Sequence, residues 1–250
     1  MLLAVDIGNT NISLGIFTGQ KLKKQFDIAT QAYKLKNLAK KLRLYPKISA
    51  VIICSVVPKL TRTIQLDLKL LTGKNPCIMG KDLIVPIENR YHLPRQVGQD
   101  RLINAYAASH LYGCPLVAID SGTAITFDVI SKKGAYLGGL IFPGMNISLA
   151  ALKEKTALLP QVKLELPRAL IGRDTKNSIL SGVVFGTAAL AGELASKIKK
   201  QLGKNTRIIG TGGNIALIKK YSGLEIKIDP NLTLSGLNLI YKNEIKKLNL

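Results

Sequence analysis

The sequence predicts an α/β fold of two related lobes, each a mixed β-sheet flanked by helices. An apolar strand, an Asp-x-Gly turn and a second apolar strand occur around Asp6 and again around Asp120. In each half the strands come first and are followed by alternating helices and strands, an order typical of a mixed sheet covered by helices. The predicted lobes are residues 1–114 and 115–250.

Turn and helix signals place the elements of the first half. Gly8 turns the first strand into the second, since glycine accepts the backbone angles of tight turns. Thr30 is a candidate cap for a helix whose apolar residues recur three and four positions apart. Pro58 is expected to begin the next helix and Gly73 to end it. The predicted strands are 2–6, 12–17, 22–28 and 49–56.

The second half repeats this order after an irregular segment. Residues 87–98 contain Pro94 and several polar side chains, as in loops that bind substrates. A short helix follows at 102–111, and Pro115 marks the lobe boundary. The remaining predicted elements are strands at 116–120, 124–130, 136–141 and 207–209, and helices after Gly144, near Asn177 and at 215–219.

The charge of the chain is strongly basic, with 36 Lys and Arg against 15 Asp and Glu and a net charge of +21. A basic surface attracts nucleic acid. The lysines fall in short groups rather than one block, however, and the chain has no Trp and only 5% aromatic residues. Stacking platforms for single strands are therefore scarce. We interpret the lysines as a solvated surface that also attracts anions such as ATP, and expect no nucleic-acid partner.

Apolar runs and cysteines predict the cellular compartment. The longest clean apolar run, residues 50–57, is far too short to cross a membrane. Asp6 and Gly8 interrupt the opening run too early for a signal peptide. The three cysteines are widely spaced among apolar neighbours, which indicates reduced core thiols. We therefore expect a cytoplasmic protein without a membrane partner.

Three glycine turns are candidate phosphate sites. In the Asp6 and Asp120 turns, glycine would let N–H groups approach phosphate oxygens while the aspartate holds a cation or its waters. If a two-fold axis relates the lobes, one cleft between the turns could hold a triphosphate; ordinary hairpin turns are the alternative. Gly210-Thr-Gly-Gly213 could admit a base or a phosphate, or be a plain loop. The P-loop pattern and the full dinucleotide fingerprint are absent from the sequence.

Val97-Gly-Gln-Asp-Arg101 is the candidate reacting centre. Asp100 could accept the proton of a hydroxyl that attacks a terminal phosphate. Arg101 could pair with a carboxylate or with the transferring phosphoryl group. The alternative is a helix-start pair, because the helix dipole favours an acid at the N-terminus. His92 and His110 lack metal-site spacing and are interpreted as structural or solvated.

These motifs resemble the type III pantothenate kinases, of the acetate-kinase, sugar-kinase and actin-like ATPase superfamily, along nearly the whole chain. The resemblance implies ribonuclease-H-like lobes with an ATP cleft between them. It also implies ATP-dependent phosphorylation of pantothenate to 4′-phosphopantothenate, the first step of coenzyme A synthesis. The matching segments are Asp6-Ile-Gly-Asn-Thr-Asn11, Gly98-Gln-Asp-Arg101, Asp120-Ser-Gly-Thr-Ala124, Gly138 to Gly144, Thr156 to Pro160, Gly172 to Thr175 with Ser181-Gly182, and Gly210 to Gly213.

The resemblance implies roles for individual residues. Asp100 falls where the family has its proton acceptor. Asp120 falls where it has a ligand of its monovalent cation, potassium or ammonium, and Asp6 would help to hold Mg²⁺. The ATP-binding positions are Asp6, Ile7, Gly8, Asn9, Thr10, Asn11, Ile12, Ser13, Thr123, Gly210, Gly212 and Gly213. The pantothenate positions are Tyr91, Gly98, Gln99, Asp100, Arg101 and Thr175.

Several alternatives stay open beside the resemblance. Tyr91 could be a loop-packing aromatic and Thr175 a helix cap. The family more often has asparagine before the proline of Tyr91-His-Leu-Pro94, and a small residue in place of Gln99. Family members are homodimers, so a homodimer is expected. The competing functions are another small-molecule kinase of the superfamily, or a non-catalytic regulator that binds nucleic acid; the intact aspartates argue against lost catalysis.

Overall fold

Two compact units, each with its own five-stranded sheet, make up the chain. The computed structural model describes residues 1–248, with side chains through Glu244. One unit contains Met1–His110 and the chain from Asn231 onward, and the other contains Leu111–Pro230. The predicted division after residue 114 lies close to the first break. It differs at the other end, because the predicted second lobe runs to residue 250, whereas the chain from Asn231 onward belongs to the first unit.

The secondary structure alternates as the sequence predicts. In chain order the elements are β1 (Leu2–Ile7), β2 (Asn11–Thr18), β3 (Lys21–Ala29), α1 (Leu35–Leu42), β4 (Ala50–Ser55), α2 (Pro58–Thr72), β5 (Cys77–Ile78), α3 (Gln99–Tyr112), β6 (Leu116–Ser121), β7 (Ala124–Ile130), β8 (Tyr136–Pro143), α4 (Met145–Lys155), α5 (Thr175–Leu202), β9 (Arg207–Thr211), α6 (Ile215–Tyr221), β10 (Lys227–Ile228) and α7 (Leu232–Leu248).

Both sheets have the same topology. The first runs β3-β2-β1-β4-β5, and the second, taken from the same side, runs β8-β7-β6-β9-β10. Three antiparallel strands form a meander in each, and two further strands continue the sheet in parallel with its first strand. Helices flank each sheet. The predicted α/β fold with two mixed sheets is therefore confirmed.

Local signals locate both ends of α2 but not the start of α1. Pro58 is the first residue of α2, and Gly73 ends it with a φ of +67°, the left-handed conformation that favours glycine. The prediction that Thr30 caps a helix is wrong. Thr30 begins a short 3₁₀ turn, and α1 starts only at Leu35, after Lys34. The threonine side chain has a different partner, described below.

Helix α7 packs on α3 within the first unit. A Cβ at Gly236 would lie 2.6 Å from the Cγ2 atom of Ile103, so glycine is what lets the two helices approach. Thr233 donates a hydrogen bond to Asn104 Oδ1 at 2.7 Å. Residues 101–108 of α3 are buried. The sequence analysis did not predict α7, yet this helix contacts Ile103 and Asn104 of α3, the helix that carries Asp100 near its start.

One helix of the described chain, α5, is long and apolar enough to cross a membrane by length and composition. Buried residues make up 44% of its most apolar 18-residue window. Val184, Ala188 and Ala191 are fully buried, and Val184 and Ala191 belong to the hydrophobic core of the second unit. Core helices of soluble proteins have the same composition, so α5 by itself does not indicate a membrane span.

Candidate active site

The first candidate phosphate site is the turn between β1 and β2. Gly8 N–H donates to Asn11 O at 2.9 Å and closes the turn, which leaves Asn9 and Thr10 exposed at its tip. Asp6 lies beside this turn near the end of β1. The structure thus brings together the residues predicted to bind ATP between Asp6 and Ser13.

The end of β3 supports this turn. Thr30 N–H donates to Thr10 O at 2.9 Å, and the Thr30 hydroxyl donates to Gly8 O at 2.7 Å. Nearby, Ser13 donates to Asp27 Oδ1 at 2.6 Å. Sequence reasoning missed the contact of Thr30 with the turn. The register of β2 and β3 would have located it, because Asn11 pairs with Ala29.

Two carboxylates of the first unit lie close to one buried thiol. Asp6 pairs with Cys54 across the parallel strands β1 and β4. Burial raises the pKa of Cys54 well above its usual value. The charges of Asp6 and Asp100 and a hydrogen bond to Asp6 raise the pKa of this thiol further. Cys54 therefore stays a protonated donor to Asp6. The sequence predicted a core thiol and gave no sign of this contact.

Asp100 is the second residue of α3. Burial raises the pKa of the Asp100 carboxyl, although the Arg101 main-chain N–H and guanidinium lower it in part. That N–H donates to Asp100 Oδ1 at 2.9 Å. A Cβ at Gly98 would lie 2.5 Å from the same oxygen. The glycine predicted to admit substrate therefore also makes room for the Asp100 carboxylate.

The other predicted acceptor residues of the first unit surround this helix start. Arg101 is 9% exposed. The Gln99 side chain lies over Gly80, where a Cβ would meet it at 3.0 Å, and the buried Gln99 Oε1 has no hydrogen-bond partner in the described chain. Tyr91 is half-buried, and its N–H donates to Asn89 Oδ1 at 3.0 Å.

Thr175 lies in the second unit, at the exposed first position of α5. The cap of this helix is Asp174, whose carboxylate accepts the Asn177 N–H at 2.8 Å. The helix-cap alternative for Thr175 is therefore wrong by one residue. Its side chain is exposed to solvent.

The second candidate phosphate site is the turn between β6 and β7. Gly122 N–H donates to Ala124 O at 3.0 Å, and Thr123 is exposed at the tip. Gly144, directly after β8, donates its N–H to Thr123 O at 3.1 Å. Asp120 pairs with Thr126 near the end of β6. The turn repeats the geometry of the first with fewer residues.

The glycine-rich turn after β9 meets the Asp120 turn within the second unit. Gly212 has a φ of +87°, and a Cβ there would lie 2.4 Å from Asp120 Oδ1. Asn214 N–H donates to Ser121 O at 3.0 Å. A Cβ at Gly213 would meet nothing within 4 Å. Only main chain fits beside the Asp120 carboxylate, while the Gly213 side of the turn is open.

Gly210 has a different environment. It lies inside β9, where a Cβ would come within 2.5 Å of Ile215 and 2.7 Å of Ile226. Close packing of α6 and the following segment on β9 accounts for this glycine.

The donor atoms fit the two cations that the fold family implies. Mg²⁺ bound with nucleotide takes one or two protein carboxylates together with phosphate oxygens and water, and the Asp6 carboxylate near the end of β1 is a ligand of this type. A monovalent cation also prefers oxygen ligands, and Asp120 lies among main-chain groups that glycines bring close. No cluster of three or more His, Cys, Asp or Glu that could hold a metal occurs in the described residues.

Comparison with known proteins gives consistent matches. A family model described as type III pantothenate kinase matches residues 2–197. A type III pantothenate kinase of Dehalococcoides mccartyi is 39% identical over 250 residues, which cover 96% of this chain and 97% of the relative.

Two solved structures share the fold. A Campylobacter jejuni protein assigned to the Baf family of transcriptional activators is similar with a TM-score of 0.63 and 21% identity, over 98% of this chain and 99% of that one. The activator of 2-hydroxyisocaproyl-CoA dehydratase from Clostridium difficile, with bound ADPNP, has a TM-score of 0.54 and 12% identity over 99% and 97%. At these identities the likeness concerns the fold alone.

Proposed function

Because the chain belongs to the type III pantothenate kinase family, we propose that it transfers the γ-phosphoryl group of ATP to the primary hydroxyl of pantothenate. The product is 4′-phosphopantothenate, in the first step of coenzyme A synthesis. The observation that carries the proposal is the grouping of Asp6, Cys54 and Asp100 in the first unit. Asp6 lies beside a turn suited to phosphate, and the charges of Asp6 and Asp100 act on the same thiol.

Asp100 is the general base of this proposal. It accepts the hydroxyl proton as the substrate oxygen forms its bond to the γ-phosphorus and the bond from that phosphorus to the bridging oxygen of ADP breaks. Burial raises the pKa of Asp100, which strengthens it as a base. Arg101 pairs with the substrate carboxylate or the transferring phosphoryl group through its planar fork. Most of the rate enhancement comes from positioning and charge stabilisation.

The nucleotide contacts follow the three glycine turns. We assign the ATP phosphates to Asp6 through Ser13 and to Thr123, and the turn at Gly212 and Gly213 to the nucleotide; Gly210, also predicted to bind ATP, lies inside β9 and serves its packing. Asp6 helps to hold Mg²⁺, and Asp120 holds potassium or ammonium. These cations neutralise phosphate charge when bound. The support is the turn that Gly8 closes two residues after Asp6, and the close approach of Gly122 and Gly212 to the Asp120 carboxylate.

Pantothenate is assigned to the residues around the start of α3 and to one residue of α5. The basic composition of the chain attracts its carboxylate and the anionic nucleotide. We further propose a homodimer that works in the cytoplasm. The assigned residues are Tyr91, Gly98, Gln99, Asp100, Arg101 and Thr175.

The test is an assay of the purified chain with ATP, Mg²⁺ and pantothenate, with K⁺ present or replaced by Na⁺. We expect phosphopantothenate, detected by mass spectrometry, and a higher rate with K⁺. Folded protein that forms no product would contradict the proposal. A panel of sugars and carboxylic acids at fixed ATP would identify another kinase of the superfamily, and salt-sensitive DNA binding without ATP turnover would identify a regulator.

A further inference from the structure

The threonine that follows β3 makes two hydrogen bonds to the first phosphate turn. Thr30 N–H donates to Thr10 O at 2.9 Å, and the Thr30 hydroxyl donates to Gly8 O at 2.7 Å. Thr30 is half-buried. It lies outside the Asp6–Ser13 segment assigned to ATP and has no role in the proposed chemistry.

The hydroxyl bond controls the direction of a main-chain donor. A trans peptide is planar, so its C=O and the following N–H point in opposite directions. The peptide between Gly8 and Asn9 is therefore held with its carbonyl toward Thr30 and the Asn9 N–H on the opposite side. Gly8 has no side chain to restrict this peptide, and glycine is the residue with the widest choice of backbone angles.

We propose that Thr30 is a positioning residue for nucleotide binding. Its hydroxyl selects the orientation of the Gly8–Asn9 peptide in which the Asn9 N–H can donate to a phosphate oxygen. Without the hydroxyl, the free turn spends only part of its time in that orientation. The apparent affinity for nucleotide then falls by the same fraction. The inference rests on the proposed function for its kinetic readout, and direct binding tests it independently.

The obvious variant is Thr30→Val, which keeps the branched shape and removes the donor. Loss of one hydrogen bond of this kind corresponds to about a five- to tenfold change in an equilibrium. We expect the dissociation constant for Mg-ADP, measured by calorimetry, and KM for ATP to rise about five- to tenfold. The kcat and KM for pantothenate stay within about twofold, because Asp100 and the acceptor residues are unchanged.

Two further variants separate positioning from stability. Thr30→Ser keeps the hydroxyl, and we expect it to restore wild-type nucleotide affinity. Thr206→Val removes a matching bond, from the Thr206 hydroxyl to Gly203 O at 2.6 Å, in a turn of the second unit before β9. It should lower the thermal unfolding temperature without changing the affinity for Mg-ADP. If Thr30→Val does not fold, Thr30→Ala replaces it in the comparison with Thr30→Ser.

Three results would overturn the inference: unchanged Mg-ADP affinity in Thr30→Val, equal losses in Thr30→Ser and Thr30→Val, or the same loss in Thr206→Val. Failure of the proposed function is distinguishable. A wild-type chain that makes no phosphopantothenate but loses Mg-ADP affinity in Thr30→Val supports the positioning role and contradicts the kinase assignment. If the wild-type chain makes phosphopantothenate and Thr30→Val binds Mg-ADP with unchanged affinity, the kinase assignment is supported and the positioning role is contradicted.

Discussion

The two candidate phosphate turns share one framework but are stabilised by different groups. In both, the residue that follows the third strand of the sheet donates its N–H to a carbonyl of the turn: Thr30 to Thr10 O, and Gly144 to Thr123 O. Thr30 adds a side-chain bond. A side chain on Gly144 is excluded, because its Cβ would lie 2.3 Å from Thr123 O.

The surroundings of Asp6 and Asp120 also differ, since a side chain approaches the first and a glycine approaches the second. The pairing of β1 with β4 brings the Cys54 thiol to Asp6. The pairing of β6 with β9 brings Gly212 to Asp120, with no room for a Cβ. Side-chain contacts from Thr30 and Cys54 are thus added at the first turn, and close main-chain approach at Gly144 and Gly212 characterises the second. We expect the first unit to be impaired by loss of a side-chain donor or base, and the second by added atoms.

The largest effect is expected from removing the proposed base of the first unit, Asp100 at the start of α3. Asp100→Asn keeps the shape of the side chain but removes the base, so kcat should fall about 10²- to 10⁴-fold. KM for ATP should change little. Steady-state kinetics with pantothenate measure both.

Asp67→Asn is the matched control for Asp100→Asn. Asp67 lies on α2 of the same unit, and its carboxylate accepts a hydrogen bond from Tyr33 at 2.6 Å. We expect turnover within about twofold of wild type, as for substitutions away from catalytic groups. Turnover near the wild-type rate in Asp100→Asn would remove this residue from its role and leave the first unit without a base.

The next largest effect is expected from adding a side chain where Gly212 lies against Asp120. Gly212→Ala places a Cβ 2.4 Å from Asp120 Oδ1 at a φ of +87°. The left-handed conformation alone costs about 1–2 kcal/mol for a residue with a side chain. We expect a lower unfolding temperature and loss of stimulation by K⁺, because the Asp120 carboxylate must move.

Gly213→Ala is the matched control for Gly212→Ala. Nothing lies within 4 Å of its Cβ, so stability should change by less than about 0.5 kcal/mol. If Gly213→Ala raises KM for ATP and leaves stability unchanged, the requirement for glycine at this position comes from nucleotide binding. Equal destabilisation by the two substitutions would contradict the difference that we infer between the sides of this turn.

The difference between local and long-range interactions explains which parts of the fold the sequence could predict. Pro58 and Gly73 mark the ends of α2 because their own backbone restrictions act there. Strands β5 and β10 have two residues each, too few to show a period. Helix α7 was missed, and its place beside α3 depends on the fit of Gly236 against Ile103, residues that are distant in sequence.

The same difference separates the predicted from the unpredicted parts of the site. The Asp6 and Asp120 turns could be found because the chain repeats them, and Asp100 because a glycine and an arginine flank it. Cys54 and Thr30 could not, since their contacts arise from the pairing of β1 with β4 and of β2 with β3. Gly98 was predicted to admit substrate, and the structure adds a second reason for a glycine there, because a Cβ would lie 2.5 Å from Asp100 Oδ1.

The smallest expected effect is the change in stability caused by removing the charge of Asp100. Because burial raises the pKa of Asp100, the folded chain holds this proton more tightly than the unfolded chain. Stability is therefore lost as pH rises through the folded-state pKa, where a charge must be kept in a desolvated place. Asp100→Asn should raise the unfolding temperature at pH 7.5, with a gain that shrinks as pH falls toward the usual carboxyl range. An equal gain at every pH would show that the substitution acts through packing rather than charge.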